Sequence, residues 1–111
     1  MSRTRKFHIF RGTKLVGDFI VTNNKPTVKL VDNLDYWDPP IDFVVEYQEG
    51  QREFSGKIVD DFVKDRVVPS GRQNIREILQ QVGIEEYDPL EMFIFYRGRT
   101  IRDSIHLEDI K

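Results

Sequence analysis

The chain has 111 residues, of which 39% are hydrophobic and 32% charged, with a formal net charge of −2 at pH 7 and no cysteine. This composition excludes an intrinsically disordered chain, a disulfide-bonded fold, thiol catalysis and a zinc site with cysteine ligands. No apolar run reaches the about 20 residues that cross a bilayer, and the first residues lack a signal-peptide pattern, so we expect a cytoplasmic protein.

The first part of the sequence has the alternating pattern of β-strands. Residues 6–10 and 15–21 are rich in strand-forming side chains and flank the turn Arg11-Gly12-Thr13, which predicts a hairpin. A second turn at residues 23–26 leads to a third short strand at residues 28–30.

Residues 32–40 contain two prolines together with Asp and Asn, so they predict a loop. This loop carries two adjacent large aromatics, Tyr36 and Trp37. Residues 41–47 alternate again: Ile41, Phe43, Val45 and Tyr47 would lie on one face and the residues between them on the other. This alternation predicts a fourth strand.

After Phe54 the apolar period changes to that of helices. Ser55 is a helix cap in this interpretation, and the first helix extends to about residue 67. Ser70 and Gln73 have the spacing of a capping box, which predicts a second helix over residues 71–82. The two helices would form an αα-hairpin or corner joined by a turn of about three residues.

The second predicted helix has one apolar stripe, and Leu79 on this stripe should lie in the core. Gly83 predicts its left-handed ending. Asp88-Pro89 starts another element, in which residues 92–96 fit a helix or a buried strand, with the helix favoured. Residues 104–110 suggest a terminal helical turn.

Together these elements predict one α+β domain over residues 1–111, with a small antiparallel sheet of about four strands followed by two to three helices packed on it. Residues 1–53 would be mainly strands and residues 54–98 mainly helices. Residues 99–111 would form a terminal segment.

The sequence contains no catalytic constellation. His8 and His106 have no partner at a metal-ligand spacing, and the neighbouring carboxylates of Asp60-Asp61 and Glu85-Glu86 diverge on a helix. Phosphate loops and nucleophile motifs are also absent. We therefore expect a non-enzymatic protein without cofactor or metal.

Two groups of residues could instead bind a macromolecule. Tyr36 and Trp37 resemble interface hot spots, and Arg72 and Arg76 on the polar side of a helix would contact the same protein partner. A lid folded on the protein's own core is the alternative for the two aromatics. The alternative function is that of a small nucleic-acid-binding or regulatory domain, with phosphate contacts from an arginine patch beside Phe95 and Tyr96. That patch consists of Arg97, Arg99 and Arg102.

The order of six segments between Phe7 and Tyr96 resembles that of the N-terminal subdomain of HipA-type kinases. These kinases are the toxin half of a bacterial toxin–antitoxin system. The segments are Gly12-Thr13-Lys14-Leu15-Val16-Gly17-Asp18-Phe19, Pro40-Ile41-Asp42-Phe43-Val44-Val45, Phe54-Ser55-Gly56, Val68-Pro69-Ser70-Gly71-Arg72, Gly83-Ile84 and Asp88-Pro89-Leu90.

The resemblance implies a protein-binding role and assigns no catalytic residue. The kinase segments of the family have no counterpart here, so the chain is similar to the small partner protein of split HipA-type systems. Such a protein would bind or restrain a HipA-like kinase. The chain departs from the family at Glu46-Tyr47, where a proline is expected, and at residues 97–100, which replace a glycine-rich link.

Overall fold

The computed structural model describes residues 3–110 and shows an α+β fold, the class that the sequence predicts. A 3₁₀ helix at Ile41–Phe43 continues directly into the first α-helix. The strands are β1 Thr4–Arg11, β2 Lys14–Thr22, β3 Lys25–Leu30, β4 Glu53–Ser55 and β5 Ile105–Asp109, and the helices are α1 Val44–Gln48, α2 Lys57–Asp65, α3 Ile75–Val82 and α4 Pro89–Phe95.

The five strands form one antiparallel sheet in the order β4-β3-β2-β1-β5. The predicted β1–β2 hairpin is confirmed, with Phe7 opposite Phe19. Gly17 lies where β2 and β3 approach closely, because a Cβ atom there would lie 2.4 Å from the carbonyl oxygen of Lys29. Glycine at this position therefore sets the spacing of the two strands.

Five phenylalanine rings join the sheet to the helices. Phe43 lies 4.7 Å from Phe54 and 5.1 Å from Phe62, measured between ring centroids. Phe93 of α4 extends the cluster, 5.6 Å from Phe62 and 4.9 Å from Phe19 of β2. All five side chains are buried, so one core connects β2, β4, α2, α4 and the 3₁₀ helix.

The predicted strand at residues 41–47 is wrong, because this segment forms the 3₁₀ helix and α1. Phe43, Val44 and Tyr47 are buried while Ile41 and Val45 are exposed. This burial has the helical period, and the apolar residues of the segment fit either period. A helix buries Phe43, Val44 and Tyr47 together, whereas a strand would turn Val44 to the face opposite Phe43.

The first long helix begins later than predicted. Ser55 belongs to β4, which the sequence did not predict, and α2 starts at Lys57 after Gly56. Gly56 has a φ of +74°, a conformation that favours glycine. The helix ends at Asp65, and residues 66–74 replace the predicted short turn. The αα-hairpin is not formed, since α3 packs mainly against α4.

The second helix is shorter than predicted and has no fully buried residue. It begins at Ile75, after Asn74, whose side chain caps no helix N–H. Its predicted ending is confirmed, because Gly83 is left-handed and the N–H groups of Gly83 and Ile84 both donate to the Leu79 carbonyl oxygen. The apolar stripe is only half-buried, so the placement of Leu79 in the core is wrong.

The third predicted start signal is confirmed. The Asp88 carboxylate accepts hydrogen bonds from the N–H groups of Leu90 and Glu91, and Pro89 begins α4. Residues 92–95 are therefore helical.

The predicted terminal helical turn is wrong, because residues 105–109 form β5 against β1, with Leu107 opposite Ile9. This pairing joins opposite ends of the sequence, which local propensity does not reveal.

No helix within residues 3–110 is long and apolar enough to cross a membrane.

Candidate partner-binding site

Two side chains of the β1–β2 hairpin hold the loop that carries the exposed aromatics. Arg11 donates from Nε to the carbonyl oxygen of Asp38 at 2.9 Å and from Nη2 to that of Pro39 at 3.2 Å. The Asp38 carboxylate accepts hydrogen bonds from Lys14 Nζ and from the backbone N–H of Asp35. These two bonds lower the pKa of Asp38, the bond from Lys14 more strongly. The loop therefore has a defined conformation.

Tyr36 and Trp37 project from this loop into solvent. Their rings pack edge to face with centroids 4.6 Å apart, and 51% of Tyr36 and 68% of Trp37 remain exposed. A lid on the protein's own core would bury the indole ring. This exposure therefore favours the interface interpretation over the lid.

The exposed apolar surface continues along the next helical segment. Ile41 and Val45 follow Trp37 at intervals of four residues and are 77% and 62% exposed. Because residues four apart share a helical face, Ile41 and Val45 point outward together while Phe43 and Tyr47 are buried. We call Tyr36, Trp37, Ile41 and Val45 the apolar strip.

A cleft of about 430 Å³ lies beside the strip. Trp37, Pro39 and Ile41 form its apolar part. Its remaining lining comes from charged residues of several elements, which are Arg11, Asp42, Asp65, Arg66, Arg102 and Asp103.

Arg66 forms the fixed part of this charged lining. Its guanidinium donates to both carboxylate oxygens of Asp103, at 2.7 and 3.0 Å, and to the carbonyl oxygens of Gly98 at 2.7 Å and Ile105 at 3.1 Å. Only 6% of the Arg66 side chain is exposed. The hydrogen bonds from Arg66 hold the pKa of Asp103 below its ordinary value. Arg66 therefore ties the end of α2 to the segment before β5.

Two carboxylates of the cleft have no such cation. Burial raises the pKa of Asp42 above its ordinary value, and the neighbouring Asp65 carboxylate raises it further, while a backbone hydrogen bond and the charge of Arg66 offset part of this rise. Within residues 3–110, neither the Asp42 nor the Asp65 carboxylate has a cationic nitrogen within 4 Å. An arriving cation would offset both effects on Asp42.

The three arginines of the predicted phosphate patch line different parts of the surface. Arg97 donates to the Ile94 carbonyl oxygen at 2.9 Å and pairs with Asp109. Arg102 lies in the cleft and donates to the Asp65 carbonyl oxygen at 2.6 Å. Arg99 is exposed in a separate depression.

The structure also separates the two predicted partner-binding groups. Arg72 and Arg76 are exposed near the start of α3, and neither lines the cleft that contains Trp37. The Arg72 guanidinium donates to the side chain of Asn74 at 3.1 Å.

The histidines lie on the sheet face opposite the core. His8 pairs with Asp18 at 2.8 Å, and His106 pairs with Glu108 at 2.9 Å and stacks on Phe10. No group of three or more His, Asp or Glu side chains among the described residues could hold a metal ion.

Sequence reasoning missed Ile41, Asp42, Asp65 and Arg66 as parts of the site. The strand interpretation of residues 41–47 hid the outward face of Ile41. Asp42 and Asp65 come together only through tertiary packing of α2 beside the 3₁₀ helix, and no local spacing signals such a pair. Comparison with models of protein families, with curated proteins and with solved structures finds no match to this chain.

Proposed function

We propose that this chain is a non-catalytic protein-binding module and that the apolar strip is its binding surface. The observation that carries this proposal is the large exposed area of Trp37, Tyr36, Ile41 and Val45, with Trp37 at 68% exposure. Tryptophan and tyrosine dominate the energetics of protein interfaces because they bury much area with few rotatable bonds.

The rigid support of the strip favours tight binding. Arg11 and Lys14 fix the loop from the sheet, and Ile41 and Val45 lie on a helical segment whose other face is in the core. A surface that is already ordered loses little conformational entropy when a partner binds. More of the apolar burial then contributes to affinity.

The partner in this proposal is a HipA-like kinase encoded beside the gene, which the module restrains in the cytoplasm. This part rests on the resemblance of the segments between Phe7 and Tyr96 to the N-terminal subdomain of HipA-type kinases. The exposed strip supports a protein partner in general, and the resemblance supports this particular class.

The test is the affinity of Trp37→Ala for a HipA-like kinase from the same genomic neighbourhood. We expect a loss of about 2 kcal/mol or more, about thirtyfold in Kd, with little change in thermal unfolding. Ile101→Ala is the matched control because Ile101 is a fully exposed apolar residue outside the strip. Equal affinities of the two variants, or no binding by the unmodified protein, would contradict the proposal.

Nucleic-acid binding stays the alternative prediction. Two arginines of the patch already use N–H donors that phosphates would need. Arg97 is bonded to Ile94 and Asp109, and Arg102 is bonded to Asp65. Titration with DNA and RNA at low salt tests it, since phosphate contacts weaken steeply as salt increases.

A further inference from the structure

The cleft beside the apolar strip has an uneven charge arrangement. Arg66 directs its Nε, Nη1 and Nη2 groups to Asp103, Gly98 and Ile105. It therefore has little capacity left for an incoming anion. Arg11 likewise donates to the carbonyl oxygens of Asp38 and Pro39 in the loop that carries Trp37. Arg102, the third arginine of the lining, donates to the Asp65 carbonyl oxygen. By contrast, the carboxylates of Asp42 and Asp65 form no ion pair within 4 Å among the described residues, and Arg66 attracts Asp42 only from a greater distance.

We propose that this cleft receives a lysine or arginine side chain of the partner protein, with its cationic head between Asp42 and Asp65 and its apolar part against Trp37 and Ile41. This inference rests on the proposed function, because it assigns the chemistry of the partner residue that meets the apolar strip.

The lining matches the two halves of such a side chain. An indole ring attracts a cation through the negative face of its π system, and arginine also stacks on it. The methylene stem would cover Ile41, as long cationic side chains commonly do on apolar surface. Carboxylates then supply charge-assisted hydrogen bonds to the head, and these are stronger than neutral ones.

A bound cation would also reduce the electrostatic repulsion between the two carboxylates. Asp42 is half-buried, and burial and the neighbouring Asp65 disfavour its charge more than a backbone hydrogen bond and the Arg66 charge favour it. A guanidinium or ammonium group between the two carboxylates would replace repulsion by attraction at both. An acidic partner residue would add a further negative charge to the same place.

Trp37 makes the inference directly measurable, because it is the only tryptophan of the chain and lines the cleft. The probes are four acetylated and amidated tripeptides, Leu-Arg-Leu, Leu-Lys-Leu, Leu-Gln-Leu and Leu-Glu-Leu. We expect saturable changes of Trp37 fluorescence with the arginine and lysine peptides. The glutamine and glutamate peptides should bind at least about tenfold more weakly.

Variants that each remove one carboxylate charge test whether the peptides bind at Asp42 and Asp65. Asp42→Asn and Asp65→Asn should each weaken the arginine peptide about tenfold. Asp60→Asn, the matched control on the exposed side of α2, should leave it unchanged. Asp65 is exposed, so its variant keeps the test decisive if Asp42→Asn disturbs folding. A preferred glutamate peptide, no saturable response to any peptide, or equal effects of the Asp65 and Asp60 variants would overturn the inference.

The two proposals fail separately. If the kinase binds in a Trp37-dependent manner while Asp42→Asn and Asp65→Asn keep full affinity, the basic-residue inference is wrong and the binding module stands. If the basic peptides bind but the kinase does not, the kinase assignment is wrong and the cleft retains its assigned chemistry.

Discussion

Replacement of Arg66 should destabilise the protein more than replacement of any exposed arginine. The side chain is 6% exposed and donates to Asp103, Gly98 and Ile105. Arg66→Ala removes this donor from two carbonyl groups and from the Asp103 carboxylate, which keeps only the hydrogen bond from the Ile105 N–H. Breaking a buried charge pair in this way costs about 3–5 kcal/mol. Because 27% of the Asp103 side chain remains exposed, water can replace part of the loss, and we expect about 3 kcal/mol.

Arg66→Lys separates charge from geometry. It keeps the positive charge but cannot present two parallel N–H groups to the Asp103 carboxylate, so it should cost about 1–2 kcal/mol. The measurement is urea-induced unfolding at pH 7 with Arg76→Ala as the exposed control, which should change stability by less than about 0.5 kcal/mol. Similar midpoints for Arg66→Ala and Arg76→Ala would refute the role assigned to Arg66.

The pH dependence of the same pair has a defined sign. Arg66 lowers the folded-state pKa of Asp103 below its ordinary value of 3.8. The resulting stabilisation is therefore complete above about pH 4 and is lost as the pH falls through the lower folded-state pKa. The stability difference between the unmodified protein and Asp103→Asn should narrow below pH 4. A difference that is constant from pH 7 to pH 2 would show that Asp103 acts through packing rather than charge.

Two further predictions concern packing. Gly17→Ala should cost about 3 kcal/mol in chemical unfolding, because its Cβ would lie 2.4 Å from the carbonyl oxygen of Lys29, whereas Gly71→Ala has open space and should be nearly neutral. Phe62→Ala should cost about 3–5 kcal/mol because its ring is fully buried, whereas Leu79→Ala should cost about 1–2 kcal/mol because α3 is half-buried. Equal losses of stability within either pair would contradict this difference in packing.

The fold class was predictable from the sequence because its strongest signals are local. The hairpin alternation before Thr22, the left-handed Gly83 and the Asp88-Pro89 start of α4 each depend on a few neighbouring residues, and the structure confirms all three. β4 and β5 were not predictable in this way. Both are short edge strands whose hydrogen-bond partners lie far away in the sequence.

The candidate site was predictable only in part. Tyr36 and Trp37 stand out because two large aromatics occur within a proline-containing loop. Asp65 and Arg66 are ordinary helix-end residues in the sequence. Arg66 gains its importance from carbonyl groups that tertiary packing places around it.

The segment whose secondary structure was predicted wrongly is also the segment that builds the site. As a strand, residues 41–47 would place Ile41, Phe43, Val45 and Tyr47 on one face, so all four would be buried or exposed together. As a helix, the segment turns Phe43 and Tyr47 into the core and leaves Ile41 and Val45 in solvent. The phenylalanine core therefore fixes the direction of the apolar strip. It also places Asp42, which lies between a core residue and a strip residue, in the lining of the cleft.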